Sequence, residues 1–484
     1  MFKDEARDSI WQQLRQRGLH AFARMLTPQA MQAAATAAGV SIGTSPLNAC
    51  TLVWLGIAGA LHTTKSFADV LLITWKLLED GRCPLPQARR RNGRRRPCAR
   101  RSRHDPRGSS AHVSEEAFVQ ARQRLPLAFW LCLLVILGEM FQQQRPQYVG
   151  WKRYRLLMLD GSDIALPRYQ RLLAHYGAAG SGRARTPQAR MLMLAFAQAR
   201  LPWRYAVVPQ SCHEQTAAKG LLAHLEARDL VLMDRGFWSY GLFWQIQQQQ
   251  AYFAIRLRRG VTLRRLKRLG DRDELVEWKP RARSKKRCSW VGLGLPKSIR
   301  LRVVHYRVPG FRASAVVTNV LDPKAISRDE WVQMASTDER GHVLEAGLYH
   351  RRWEIETLFY ELKVFQRLEG SLRSRTPQGI EFEIAGHVLL YFLIRWLMVE
   401  AAVEHDAHPL RLSFKHALQE FDDLRPFLLT DPPDVVRKTH LPKLLQRIAQ
   451  HRITIRPGRH FPRLGDKYKL GKYRKRSKTN AKQA

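Results

Sequence analysis

The chain has 484 residues, with 82 Lys and Arg against 41 Asp and Glu, a formal net charge of +41 and a pI near 10.9. Hydrophobic residues make up 45%, which is enough for packed cores and excludes a disordered basic tail protein. An excess of this size points to a polyanionic partner, nucleic acid before others, with a merely solvated surface or a ribosome-like architectural role as the plain alternatives.

The opening, MFKDEARDSIWQQL, is amphipathic and has no apolar h-region, so no signal peptide is expected. Residues 1–80 read as packed helices. Ser45-Pro46 supplies an N-cap and first helical position, and Ser66 with Asp69 can cap a run carrying Val70, Leu71, Leu72, Trp75 and Leu78. Residues 82–107 hold eleven Arg, four Pro and one Asp, and read as an irregular loop. That loop is either a phosphate-gripping arm or a tolerated surface insertion. Helix resumes after Ser114, with Glu115 and Glu116 in its first turn. The most apolar stretches, 127–138 and 388–394, fall short of the roughly 18 residues needed to span a bilayer and predict buried helices with no membrane partner. The six Cys form no CxxC pair, as expected of reduced thiols in a cytoplasmic setting.

From Tyr154 the texture changes. RLLMLD (155–160) predicts a short strand ending on an acid, and 190–200 with 203–209 predict a β-hairpin turning at Leu201-Pro202. Residues 214–227 read as a helix, DLVLMD (229–234) as a second strand ending on an acid, 239–250 as a helix and 251–259 as a strand. Strands alternating with helices predict an α/β core with a mixed sheet. Residues 260–325 are β-rich, 327–366 and 378–425 mostly helical, and the end after Arg456 basic and irregular.

Several motifs lead nowhere. Gly177-x4-Gly182 is followed by Arg183-Ala184 where a P-loop needs Lys and Ser or Thr. His213-Glu214 begins like HExxH, but position 217 is Ala. The seventeen His form no ligand set. Carboxylates say more. Asp160 and Asp234 each follow an apolar strand, and acids at neighbouring strand ends can converge to bind hard divalent cations. Each Asp taken singly is also a good turn residue. Tyr349, Arg352, Glu356 and Lys363 are spaced by three, four and seven, which places them on one helical face. One acid, two bases and a Tyr suit a metal and its phosphate, or a solvated ion-paired surface.

The Y-(2)-R-(3)-E-(6)-K pattern, with one Asp after LLML and Asp-Arg-Gly-Phe after LVLM, resembles the DDE transposases of bacterial insertion-sequence family 4. FVQARQRL (118–125) and RPGRHFPR (456–463) resemble that family's N-terminal and C-terminal segments. The resemblance implies an α/β fold with a ribonuclease-H-like mixed-sheet core, a β-rich insertion and flanking helical regions. It divides the chain into a helical DNA-binding region 1–150 with the Arg-rich loop 82–107, the first part of the core 151–259, the insertion 260–325, the catalytic-helix region 326–372, a helical region 373–455 and a basic tail 456–484.

It also implies cut-and-paste transposition at terminal inverted repeats. Asp160, Asp234 and Glu356 would be catalytic and hold two Mg2+ or Mn2+ ions, with Tyr349, Arg352 and Lys363 on DNA phosphates and Arg235 a further phosphate or carboxylate partner. The implied partners are double-stranded transposon-end and target DNA and a second copy of the chain in a synaptic complex, in the bacterial cytoplasm at the nucleoid. Asp163, Glu354 and Glu361 fall off the motif and read as local turn or surface acids. Ser314 stands where some family members carry a Trp that supports hairpin formation, and Trp290 or Trp331 could stand in for it. A two-metal nuclease without strand transfer and a catalytically inactive DNA-binding descendant are the alternatives.

Overall fold

A computed structural model describes residues 22, 24–43, 47–71, 114–179, 185–279, 294–307, 313–332, 347–431 and 433–453. The Arg-rich stretch 82–107, the tail from Arg456, Ser45-Pro46, Leu72, Trp75, Leu78, Gly182 to Ala184 and Trp290 lie outside the described residues.

Among the described residues the α-helices of seven residues or more are, in chain order, α1 (Pro28–Ala37), α2 (Ala49–Leu61), α3 (Glu115–Arg124), α4 (Leu127–Gln144), α5 (Gln170–Tyr176), α6 (Glu214–Leu222), α7 (Tyr240–Gln248), α8 (Glu354–Tyr360), α9 (Pro377–Glu404), α10 (Phe414–Thr430) and α11 (Leu441–Gln450). The strands are β1 (Gly150–Trp151), β2 (Tyr154–Ala165), β3 (Ala178–Ala179), β4 (Thr186–Phe196), β5 (Leu201–Pro209), β6 (Asp229–Met233), β7 (Tyr252–Arg256), β8 (Arg264–Gly270), β9 (Asp273–Trp278), β10 (Ile299–Tyr306) and β11 (Ser314–Thr318). Two caps fall where the sequence places them, whereas the run expected to open at Ser45-Pro46 is capped by Asn48, whose Oδ1 accepts from Thr51 N at 3.0 Å. Ser114 Oγ accepts from Ala117 N at 3.1 Å, and Ser66 and Asp69 bond reciprocally, side chain to backbone, at 3.1 Å each.

The sheet's centre is ordered β5-β4-β2-β6-β7. β2, β4 and β5 pair antiparallel, whereas β6 and β7 run parallel to β2. Numbered by appearance among these five, that is 3-2-1-4-5, the arrangement of a ribonuclease-H-like core. Its strands carry unbroken buried apolar runs, Leu156–Leu159, Met191–Phe196 and Leu230–Met233, as strands covered on both faces require. α4 and α9 pack on β5, α6 on β4 and β5, α7 on β7 and α8 on β2. The sheet then continues, since β11 pairs with β7, β10 with β11, β9 with β10 and β8 with β9, all antiparallel.

Three expectations are corrected. β2 does not stop at Asp160 but runs through Gly161, Ser162 and Asp163, paired in register with β4 from Met193 back to Arg190. The hairpin turns earlier than Leu201-Pro202. Phe196 pairs with Leu201 and Ala195 with Pro202, so the turn is 197–200 and Arg200 supplies its left-handed residue at φ +52°. The two apolar stretches belong to helices of 18 and 28 residues, long and apolar enough to span a bilayer by length and composition alone. The apolar window of α9 is wholly buried within the protein, where α9 packs on α2 and α11. The α2–α9 crossing is a backbone contact: a Cβ on Gly386 would stand 2.5 Å from the Gly56 carbonyl oxygen.

Candidate active site

Asp160 and Asp234 meet because of register. In the parallel β2–β6 pair, Arg155 is opposite Asp229 and each later residue opposite its counterpart, ending with Leu159 opposite Met233. The next residue on each strand is an Asp. Parallel neighbours in register point to the same face about 4.8 Å apart, so both carboxylates emerge side by side where the ladder ends. Neither serves as a turn cap. Asp160 lies within a strand and accepts from the Gly161 N–H at 2.8 Å, and Asp234 begins the 3-10 turn Arg235–Phe237 with no side-chain capping bond.

The segment carrying the other motif residues is not one uniform helix. Tyr349 and Arg352 lie in a 3-10 helix, Leu348–Trp353, Glu356 lies in α8, and Lys363 lies in a π turn, Glu361–Phe365, closed by Gln366 N donating to Glu361 O at 3.0 Å. The single-face expectation drawn from 3.6-residue periodicity is therefore replaced by three pitches in succession.

The Tyr349 hydroxyl donates to the Met233 carbonyl at 3.0 Å, pinning the end of β6 directly before Asp234. Arg352 is buried between the acids. Its Nη1 and Nη2 both reach Glu356 Oε1 at 3.2 Å, and Nη1 lies 3.9 Å from Asp160 Oδ2. Its Nε is buried with no hydrogen-bond partner among the described residues, and its guanidinium stacks 4.6 Å over the exposed ring of Trp353. Among the described residues no three His, Cys, Asp or Glu side chains stand close enough together to hold a metal ion. Glu356 reaches Asp160 through the guanidinium, which supplies the positive charge the acids require.

Lys363 is not part of this cluster. Its Nζ donates to the Asp163 carbonyl and pairs with Glu369 at 3.0 Å, three residues further along β2, about 10 Å at the rise of a strand. Arg235, after Asp234, lines a cavity of about 610 Å³ together with Arg256, Arg258, Arg259, Arg272 and Arg307. Ser314 lines it too, its hydroxyl accepting from Arg256 Nε at 2.6 Å. Trp331 is fully buried.

The off-motif acids differ from their reading as turn or surface groups. Asp163 is a strand residue bound to Arg190 at 2.9 Å. Glu361 is buried, accepting from Arg200 at 2.8 Å and from the Tyr391 hydroxyl at 2.6 Å, and Glu354 binds the same arginine. Two site residues had no signal in the sequence. Trp353 follows Arg352 directly in the chain, but only the structure shows its exposed ring stacked against the guanidinium. Glu214 has its carboxylate close to both strand ends.

Burial is the largest influence on Asp160 and pushes its carboxyl up to about 6. The Gly161 N–H and Arg352 pull it down, while Asp234 and Glu214 push it further up. Burial opposes the charge of Arg352, yet Tyr349, Asp234, Glu356 and Asp160 outweigh it and its pKa is raised. The folded Asp160 holds its proton to about pH 6 and the unfolded one only to about 3.8, so folding gains stability below pH 3.8 that is lost as pH rises to 6. A span of about two units is worth roughly 3 kcal/mol. In cation-free buffer, Asp160→Asn is expected to gain that much on the wild type between pH 4 and 6.5, measured by urea unfolding. Parallel stability curves for the two proteins would refute it.

Residues 151–393 match the family model described as "Transposase DDE domain". A curated relative, the transposase InsG of insertion sequence element IS4 from Escherichia coli (strain K12), is 28% identical over 326 residues, covering 64% of this chain and 67% of that one. A solved structure, the piggyBac transposase synaptic complex with hairpin DNA, aligns over 91% of this chain and 86% of its own at 10% identity and a TM-score of 0.36.

Proposed function

The chain belongs to the DDE-domain transposases of the insertion-sequence-4 family, and from that premise we propose that it moves a DNA element by cut-and-paste, with Asp160, Asp234 and Glu356 as its catalytic acids. The observation carrying this reading is the β2–β6 register, which continues from Leu159–Met233 into Asp160 and Asp234 beside Arg352 and Glu356.

Those three carboxylates would hold magnesium or manganese. The donors suit it in kind, all being hard oxygens, but Arg352 stands between Glu356 and Asp160 and would have to be drawn aside for the three to share an ion. When bound, such ions activate water and neutralise charge on the attacked phosphodiester.

The chain's own residues position the DNA. Trp353 presents an exposed ring to a base, and Arg352, buried between the acids, would have to turn outward to put its unused Nε–H on a phosphate oxygen. The cavity beside Arg235, lined by arginines, gives a path for further phosphates. Tyr349 keeps Asp234 in place by holding the end of β6.

Hydrolysis breaks one P–O bond at the element's end and frees a 3′-hydroxyl. That hydroxyl attacks a second phosphodiester, so one bond forms as another breaks and no energy cofactor is consumed. Two copies of the chain would hold the two ends.

A paired-end DNA substrate incubated with the full chain and Mg2+ tests this. Nicked ends followed by strand-joined products are expected. Cleavage without joined products would make the protein a nuclease, and binding without cleavage would make it an inactive DNA-binding descendant.

A further inference from the structure

The β2–β6 ladder ends at Leu159–Met233, so no ladder pair ties Asp160 to Asp234 beyond it. α6 supplies a tie. Its first residue, Glu214, lies across the two glycines that neighbour the acids: a Cβ on Gly161 would stand 3.3 Å from Glu214 Oε1, and one on Gly236 would stand 3.6 Å from Oε2. Neither glycine is among the positive-φ residues, so what each provides is space. Gln215, the next residue, donates its Nε2–H to the Gly236 carbonyl at 2.8 Å and the Trp238 carbonyl at 3.4 Å. Arg190 on β4 braces the assembly, 3.8 Å from Glu214, 2.9 Å from Asp163 and 3.0 Å from the Cys212 carbonyl. The first turn of α6 thus touches β2 directly after Asp160 and the 3-10 turn that follows Asp234, at its second residue, Gly236. A carboxylate there also suits the positive end of the helix.

We propose that Glu214 and Gln215 form a clasp that fixes the spacing of the two acid-bearing strand ends, acting as positioning residues for strand cleavage. This rests on Asp160 and Asp234 being catalytic. The clasp works by occupying the space between two glycines, so shape matters more than charge. A misplacement near 1 Å costs about a hundredfold in rate.

The test uses the full chain on transposon-end DNA with Mg2+. Glu214→Ala is expected to lower the single-turnover nicking rate by about 10- to 100-fold with end affinity within about threefold, whereas Glu214→Gln, which fills the same space, stays within about fivefold of wild type. In the absence of DNA, the Mn2+ concentration giving half-maximal thermal stabilisation should rise several-fold in Glu214→Ala and little in Glu214→Gln. Gly161→Ala should slow nicking in the wild-type background and add nothing to Glu214→Ala, because the new methyl then has room.

Wild-type rates in Glu214→Ala, an equal loss in Glu214→Gln, or additive effects of Gly161→Ala and Glu214→Ala would each overturn the clasp. A wild-type chain that does not nick would overturn the active-site reading instead. If Glu214→Ala does not fold, Gln215→Ala and Gly161→Ala carry the same rate and Mn2+ measurements.

Discussion

Glu356→Gln is expected to lower the rate of strand cleavage at the element's end by roughly a thousandfold or more, about 4 kcal/mol of transition-state stabilisation, while leaving end binding within about threefold. The substitution keeps the side chain's length and its contact with Arg352 but removes the charge facing the guanidinium. Binding is spared because α8 is held by its apolar face, Ile355, Leu358 and Phe359, which the change does not touch. Single-turnover nicking of a labelled end, beside a mobility-shift titration at fixed salt, separates the two quantities. Salt must be fixed because binding to phosphates weakens steeply with it. Cleavage within tenfold of wild type would remove Glu356 from the catalytic acids and with it the three-acid reading.

Arg200→Met is expected to cost 3–5 kcal/mol of folding stability, a large share of the roughly 5–15 kcal/mol that a native domain has. Arg200 is buried at the β4–β5 turn, donating to Glu354, to Glu361 at 2.8 Å and to the Leu410 carbonyl at 3.4 Å. Glu361 would keep only the Tyr391 hydroxyl and the nearby charge of Arg395. A buried carboxylate stripped of its main partner pays its desolvation uncompensated, whereas replacing both members by apolar groups is close to neutral. The double variant Arg200→Met with Glu361→Leu should therefore be more stable than Arg200→Met alone. Urea unfolding of the three proteins checks this, and a loss under about 1 kcal/mol in the single variant would show the network to be dispensable.

What could be read from the sequence followed from local chemistry. LLML and LVLM announce buried strands, and an acid after each stands out because the run before it is wholly apolar. The register that brings Asp160 and Asp234 together could not be read, because pairing across 74 residues is decided by the packed sheet. Gly161-Ser162-Asp163 looks like a turn yet continues β2, since β4 supplies partners for its backbone. Leu201-Pro202 also looks like a turn, yet Arg200 takes the left-handed position and Leu201 begins a strand. Spacing put Tyr349, Arg352, Glu356 and Lys363 on one face, but periodicity assumes a constant pitch, and here 3-10, α and π turns follow one another. Glu361 read as a surface acid because its partners lie 161 residues before it and 30 after. Glu214 was passed over because the motif it began was incomplete, while its neighbours at Gly161 and Gly236 are adjacent only in space.

The sheet's passage from the core into the strands beyond β7 bears on how such proteins can be recombined. The seam is three residue pairs long: Val316 with Arg256, Val317 with Ile255 and Thr318 with Ala254. Cutting out everything from β8 to β11 would leave the backbone of β7 open along one side, a template for strand addition between molecules. A graft from a relative would be accepted only if its last strand presented the same alternation at that seam, since a slip of one residue turns every side chain to the opposite face. Exchange of this segment between relatives is therefore gated by three backbone pairs, whatever its outer loops and charges become.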